Sequence, residues 1–344
     1  MTTPVVVTGA AGFIGSHVTR ALVAQGSRVI ATDLPDDLSA PVLAGLDTSR
    51  LTYVPGDLRS DETLDALVAA AGERATVIHV AAILRFAEMA SALGQIAPSF
   101  PDALEVFEVN AMATWRLCSR FATPGRLERF VYVSTRSVFG ALSVDADSIP
   151  ESSPPSPVGI YGSSKTAAEF GVLAFRDVFD LDLVVARVTG VYGPWQGVVS
   201  WIGKAVDGVV SGSGYRTPAG ADDSYEFTYV KDTARGLVGL VDAPQLAQSI
   251  YHVSSGEMYS LGEVAQAFRA ADPAADVEFG PGSQPGMRSR LPLGGERIER
   301  ELGFRAQWDL KAAIADYLAV ERTGAYGTEA VEALRPAAPL GTAD

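Results

Sequence analysis

The sequence predicts an α/β protein: a doubly wound parallel sheet with a smaller, discontinuous lobe drawn mainly from the C-terminal half. Three observations lead there. The first 33 residues read as strand, glycine turn, helix and strand; strand-like apolar runs then alternate with helical periodicity to about residue 193; and a helix and strand at 231–254 return to the main sheet after an intervening segment. At 344 residues the chain can bury one large α/β core and still supply an appended lobe.

Each element follows from a local pattern. Residues 4–8 (PVVVT) form a buried strand, an amphipathic helix runs from the glycine turn to about residue 25, and a second strand ends at Asp33. LTYVPGDL (51–58) is a third strand and ATVIHVAAIL (75–84) a fourth. A helix over 103–122, the run RFVYVSTRSVFG (129–140), a helix over 160–179 and the run DLVVARVTGVYG (182–193) continue the alternation. Crossovers in such sheets are right-handed, and ligands sit at the carboxyl ends of the strands. Asp33, Asp57, Ala81, Thr135 and Arg187 fall at or near those ends and are expected to line one crevice. Ser260 and Glu263 fit a capping box at the start of another helix. The expected division is a dinucleotide-binding domain from 1–189 and 231–254, a substrate lobe from 190–230 and 255–322, and a loosely held tail from 323–344.

Composition excludes several classes of partner. A net charge of −14, with no basic run interleaved with aromatics, repels phosphate backbones and argues against nucleic-acid binding. The single cysteine, Cys118, sits in an apolar helical pattern as a core residue and cannot form an internal disulfide. The three histidines show no metal-ligand spacing, so no metal is expected. No run of about 18 apolar residues occurs, and the chain enters its first strand at once, so no membrane span is expected and a cytoplasmic location is the default reading.

Two motifs carry chemistry. Gly9, Gly12 and Gly15 form G-x-x-G-x-x-G at a strand-to-helix turn, where missing Cβ atoms let the backbone approach a pyrophosphate that the helix N-terminus faces. Asp33, at the end of the next strand, has the type and distance to accept hydrogen bonds from an adenosine ribose. Its carboxylate would repel a 2′-phosphate and no Arg follows it, so NAD is expected rather than NADP. Tyr161 and Lys165, in YGSSK, lie one helical turn apart and present a phenol and an ammonium on one helix face.

With TGAAGFIG, GDL, HVAA, Asn110 in VNAMAT, VSTRSVFG, YGSSK, ARVTGVYGP, FTYVKDTA and YHVSSGEMYSLGEV in order, the chain resembles the extended short-chain dehydrogenase/reductase family over roughly residues 4–320. That group includes nucleotide-sugar epimerases and dehydratases, and the resemblance implies a Rossmann domain. It also implies that Tyr161 is the general base, that Lys165 holds the nicotinamide ribose, and that Thr135, with Ser134 as second choice, hydrogen-bonds the reacting oxygen. Phe13, Ile14, Asp57, Leu58, Ala81 and Ala82 complete the implied cofactor set, and Asn110 the implied ordering of the active-site helix. Tyr161 starts from a phenol pKa of about 10, so ionising it near pH 7 needs roughly 4 kcal/mol of help; Lys165 and a positively charged nicotinamide ring are the expected sources.

Departures from the family pattern bear on the substrate. Gly190 stands where nucleotide-sugar enzymes carry an Asn, and Tyr225 where an Arg is expected near a phosphate. Losing two such contacts, worth roughly 1.5–3 kcal/mol each, argues against a diphosphate. Arg288 keeps open an anion-binding role, Arg85 begins an apolar stretch (85–101) expected to form a lid or an ordinary helical hairpin, and Tyr192 and Trp195 could stack on a substrate ring or fill the lobe. The expected activity is therefore an NAD-dependent oxidoreductase acting on a secondary alcohol or sugar-type hydroxyl of a small non-nucleotide substrate. The alternatives are a nucleotide-sugar epimerase or dehydratase with transient hydride transfer and, from another class, a non-catalytic NAD-binding regulatory protein. The family also implies a homodimer.

Overall fold

A computed structural model describes residues 3–326 except 36–37, 39–42, 46, 85–99, 124, 141–145, 197–199 and 285–290. Seven strands form one parallel sheet among the described residues: β1 (Val5–Thr8), β2 (Val29–Thr32), β3 (Leu51–Tyr53), β4 (Ala75–His79), β5 (Leu127–Thr135), β6 (Leu183–Val188) and β10 (Ile250–Val253). Their order, β10-β6-β5-β4-β1-β2-β3, reverses direction at the β1/β4 boundary, where Thr8 lies in register with His79. Ligand crevices of doubly wound sheets open at such a point. Every residue of β1, β2, β4 and β6 is buried, as strands covered by helices on both faces must be.

The helices divide between the two faces. α1 (Phe13–Ala24) and, later in the chain, α7 (Val230–Asp242) pack apolar side chains such as Val18, Leu22, Leu237 and Val241 on one core. On the other face, α2 (Asp61–Ala71), α4 (Ala113–Phe121) and α5 (Gly159–Phe179) bury Leu64, Leu117, Phe121 and Val172 around Phe130 and Val185. α3 (Phe100–Phe107) leads into α4 through a π-helical turn, Glu108–Met112, which interrupts the single helix expected over 103–122. β5 ends at Thr135 and passes into a 3₁₀ turn, Arg136–Phe139, rather than continuing to residue 140.

The run expected as one strand over 182–193 also splits. β7 (Gly190–Tyr192) leaves the main sheet and pairs with β9 (Ser224–Tyr229), which pairs in turn with β11 (Met258–Ser260). Around this small sheet pack α6 (Trp201–Ser211), α8 (Leu261–Ala271) and α10 (Leu310–Thr323), with a second core of Ile202, Val206, Phe268, Ile314 and Leu318. β8 (Tyr215–Thr217) and β12 (Val277–Phe279) form a two-stranded ribbon beside it, and α9 (Glu296–Leu302) packs near β10. The Ser260–Glu263 capping box is formed in both directions. Among the described residues no helix is long and apolar enough to cross a membrane.

All three histidines, His17, His79 and His252, are fully buried, and burial is the main force lowering each pKa from 6.5 to about 3. Between those values the unfolded chain binds protons that the folded protein refuses, so stability falls as pH drops, by up to about 1.4 kcal/mol per pH unit for each histidine. Imidazole NMR signals of the folded protein are expected not to titrate above about pH 4. A midpoint near 6 for any of the three would show that its ring is solvated.

Candidate active site

The glycine turn is shaped by close contacts that no side chain would survive. Gly9 has φ +69°, and a Cβ there would lie 2.7 Å from the Ala81 nitrogen at the end of β4. A Cβ on Gly15 would lie 2.0 Å from the Gly9 carbonyl oxygen, which is how α1 comes to sit directly on the turn. α1 begins without a side-chain cap and without an acid in its first turn, leaving backbone N–H groups for an anion. Asp33 braces the turn from β2: its two oxygens accept from the Ala11 amide at 2.9 Å and the Leu34 amide at 2.8 Å. This cradle fits a dinucleotide pyrophosphate with its ribose at Asp33. Phe13 sets its ring edge on His17, and Ile14 packs into the core. Asp57 is held in a tight pair with Arg59, which keeps its carboxyl below the usual range, and Leu58 packs under the sheet.

Across the β1/β4 boundary runs a hydrogen-bonded chain. Thr114 donates to the Asn110 carbonyl at 2.8 Å, so its oxygen must accept from His79 Nε2–H at 2.8 Å. His79 Nδ1 then accepts from the Thr8 hydroxyl at 2.6 Å, and Thr8 in turn receives the Val80 and Ala81 amides. The π turn aims Asn110 at the same place. Its side chain pairs with both backbone groups of Ile83, at 2.8 and 3.0 Å, and donates to Ser164 at 3.1 Å. Asn110 thus ties the segment after β4 to α5.

α5 presents Tyr161, Lys165 and Glu169 at i, i+4 and i+8 toward the end of β5. The Tyr161 phenol hydrogen-bonds Thr135; burial pushes its pKa up to about 12, and the Thr135 bond works the other way. The protein's own environment therefore opposes the phenolate instead of easing its formation. Lys165 donates to the Val133 carbonyl at 2.7 Å and lies 4.3 Å from the centre of the Tyr132 ring. Its burial lowers the ammonium pKa to about 7, with Glu169 acting in the opposite direction. Thr135 and Tyr161 meet at the end of β5, and Lys165 lies one turn along α5 beside Val133.

Other expectations need correction. The Ser134 hydroxyl donates to Glu169 at 2.6 Å, so it is spent on a buried pair and does not face a substrate beside Thr135. Arg187 does not line the crevice: it is 1% exposed and forms two hydrogen bonds to Glu169, at 3.0 and 2.8 Å. Tyr192 fills the lobe core against Phe227 and Tyr229. Trp195 stacks on the chain's own Tyr326, with ring centres 5.3 Å apart. Tyr326, placed by the sequence in a loose tail, is docked: it hydrogen-bonds His17 and lies under the Arg20 guanidinium at 4.4 Å. Gly190 has a steric reason to lack a side chain, since a Cβ would meet the Glu226 carbonyl oxygen at 2.8 Å. Tyr225 stacks against Trp201 at 4.8 Å. Arg85, Arg288, the 85–99 part of the expected lid and the 327–344 part of the tail lie outside the described residues. The sequence reading missed Thr8, His79, Ser164 and Glu169; of these only Glu169, one turn beyond Lys165, left a spacing signal.

Comparison with known proteins agrees with this geometry. A model of the NAD dependent epimerase/dehydratase family matches residues 5–262. The dTDP-glucose 4,6-dehydratase of Streptomyces niveus is 29% identical over 311 residues, covering 87% of this chain and 87% of that enzyme. The enzyme of the same name from an Actinoplanes species is 28% identical over 330 residues, covering 92% and 96%. Among solved structures, MoeE5 in complex with UDP-glucose and NAD is 28% identical with a TM-score of 0.73, covering 93% of this chain and 98% of that one.

Gly15→Ala drives a methyl group into the Gly9 carbonyl and is expected to abolish binding of the dinucleotide while leaving the lobe folded. Calorimetric titration with NAD checks this; unchanged affinity would mean that the turn does not hold the pyrophosphate.

Proposed function

The chain belongs to the NAD-dependent epimerase/dehydratase family, and on that premise we propose that it oxidises a hexose hydroxyl of a nucleotide sugar by transient hydride transfer and ends in epimerisation. The observation that carries the reading is the bond between Tyr161 and Thr135 at the carboxyl end of β5, with Lys165 one turn along α5 held by the Val133 carbonyl. Relatives named for dTDP-glucose and a related structure holding UDP-glucose support a nucleotide-sugar substrate over the small non-nucleotide one that the sequence favoured.

NAD, when bound, supplies the hydride acceptor. Gly9, Gly12 and Gly15, with the start of α1, hold its pyrophosphate, Asp33 its adenosine ribose and Lys165 its nicotinamide ribose. Phe13, Ile14, Asp57, Leu58, Ala81 and Ala82 frame the rest. Tyr161 takes the proton of the reacting hydroxyl as that carbon becomes a carbonyl, and returns it when the carbonyl is reduced. Thr135 serves both stages because a hydroxyl can donate or accept. Lys165 and the Thr135 bond favour the phenolate against the burial that opposes it. In this division of labour residues 1–189 and 231–254 carry the cofactor, and 190–230 with 255–322 take the substrate.

Dehydration asks for more. Eliminating water beside a carbonyl needs an acid for the departing hydroxyl and a base for the neighbouring proton. Among the described residues, Thr135 is followed by Arg136, which donates to the Leu291 carbonyl at 2.7 Å, and by Ser137, bonded to Thr135 itself. Neither is a carboxylate, which favours epimerisation. A second reading, a smaller alcohol without a nucleotide, draws on Gly190 and Tyr225, where the room for an Asn and the place of an Arg are taken.

Incubation with UDP-glucose, UDP-glucuronic acid or dTDP-glucose is expected to give an epimer without net NADH. Accumulating NADH from a free sugar or polyol would decide for the second reading. Tyr161→Phe is expected to cut turnover roughly 10²–10⁴-fold with NAD binding retained. For assembly, Leu104, Met112 and Phe170 are 54%, 49% and 58% exposed on α3, the π turn and α5, an apolar face suited to a second copy. Light scattering is expected to report twice the 36.1 kDa chain mass; a monomer at micromolar concentration would overturn the homodimer.

A further inference from the structure

We propose that Glu169, clamped by Ser134 and Arg187, is a positioning residue that keeps the Lys165 ammonium charged and in register with Tyr161 and Thr135. The proposal rests on the site reading above, since it explains how that lysine holds its proton in a dry place.

The contacts are consecutive along β5. The Tyr132 ring lies beside the Lys165 ammonium, the Val133 carbonyl accepts from it, Ser134 donates to Glu169, and Thr135 bonds Tyr161. From β6, Arg187 donates through Nε at 3.0 Å and Nη2 at 2.8 Å to the two oxygens of Glu169. Arg187 is itself fixed: its third nitrogen reaches the Glu151 carbonyl at 3.4 Å, and its guanidinium lies 4.8 Å from the Phe139 ring centre. Glu169 and Arg187 are each 1% exposed, so neither can swing to solvent.

Charge arithmetic gives the arrangement its purpose. Two cations, Lys165 and Arg187, are buried around one anion. Among the described residues, the other titratable groups around Lys165 bring no second negative charge. His79 on β4 is held neutral by burial, while Tyr132 on β5 and Tyr161 on α5 have phenol pKa values raised by burial. Cys118 on α4, beyond Tyr132, has its thiol pushed up likewise. Among the described residues, Glu169 is the charged group that opposes the desolvation drawing the Lys165 pKa down to about 7. Removing its charge would leave Arg187 unopposed, and a neutral Lys165 could no longer favour the phenolate.

Only four lysines occur in the chain, so labelling them with ¹³C at Cε gives a countable spectrum in which Lys165→Met identifies one signal. In Glu169→Gln the Lys165 midpoint is expected to fall by about one pH unit or more, with neutral-pH turnover of nucleotide sugar down roughly tenfold. The double variant Glu169→Gln/Arg187→Met removes both charges and should bring the midpoint back toward the wild-type value, which a purely structural role would not do. Ser134→Ala, which removes one clamp and no charge, should move the midpoint the same way by less, and serves if the glutamine variant does not fold. An unmoved midpoint in a folded Glu169→Gln or Ser134→Ala overturns the proposal. Because the titration needs no substrate, a shifted midpoint without nucleotide-sugar turnover would sink the substrate reading and leave this role standing.

Discussion

A lysine side chain held almost out of reach of water is the constraint around which this candidate site is arranged. An ammonium buried this deeply loses several kcal/mol of hydration, and the protein answers with a carbonyl, an aromatic face and a distant carboxylate. Those partners come from β5 and α5 themselves, so satisfying the lysine also fixes the spacing between strand end and helix. The Thr135 and Tyr161 hydroxyls meet as a result. The Arg187–Glu169 pair contributes less through its own energy, since buried pairs often break even with apolar packing, than through the geometry it enforces.

The same economy governs the glycine turn. Gly9 presses against Ala81, Gly15 against Gly9, and Asp33 reaches back to Ala11, so three strand ends converge within a few ångströms. Neutral His79 joins them to the Asn110 helix by a proton arrangement that only one tautomer satisfies. The strand end that carries the glycine turn and the helix α5 are in this way parts of one hydrogen-bonded network.

Much of this was legible in sequence because it depends on local pattern. The apolar runs of the parallel strands, the glycine spacing and the four-residue interval from Tyr161 to Lys165 each report a backbone geometry directly. What escaped depends on contacts distant in the chain. Arg187 reads as a strand-end cation until Glu169 and Ser134 are seen beside it, and Ser134 reads as a substrate ligand for the same reason. The π turn at Glu108–Met112 has no periodicity of its own, and the departure of β7 into a second sheet follows from pairing with β9. Gly190 reads as a lost substrate contact until the carbonyl of Glu226 supplies a steric cause.

The docking of Tyr326 has a consequence for how the molecule is made. Its ring covers His17 and Arg20 on the helix behind the glycine turn, and Glu321 reaches the Trp195 amide at 3.1 Å. During synthesis, domains form as the chain emerges, N-terminal portions first. The helix α1 therefore leaves the ribosome roughly three hundred residues before the Tyr326 segment that packs on it. Until Tyr326 emerges, the ring contacts that it makes with His17, Trp195 and Arg20 are missing from the nascent chain.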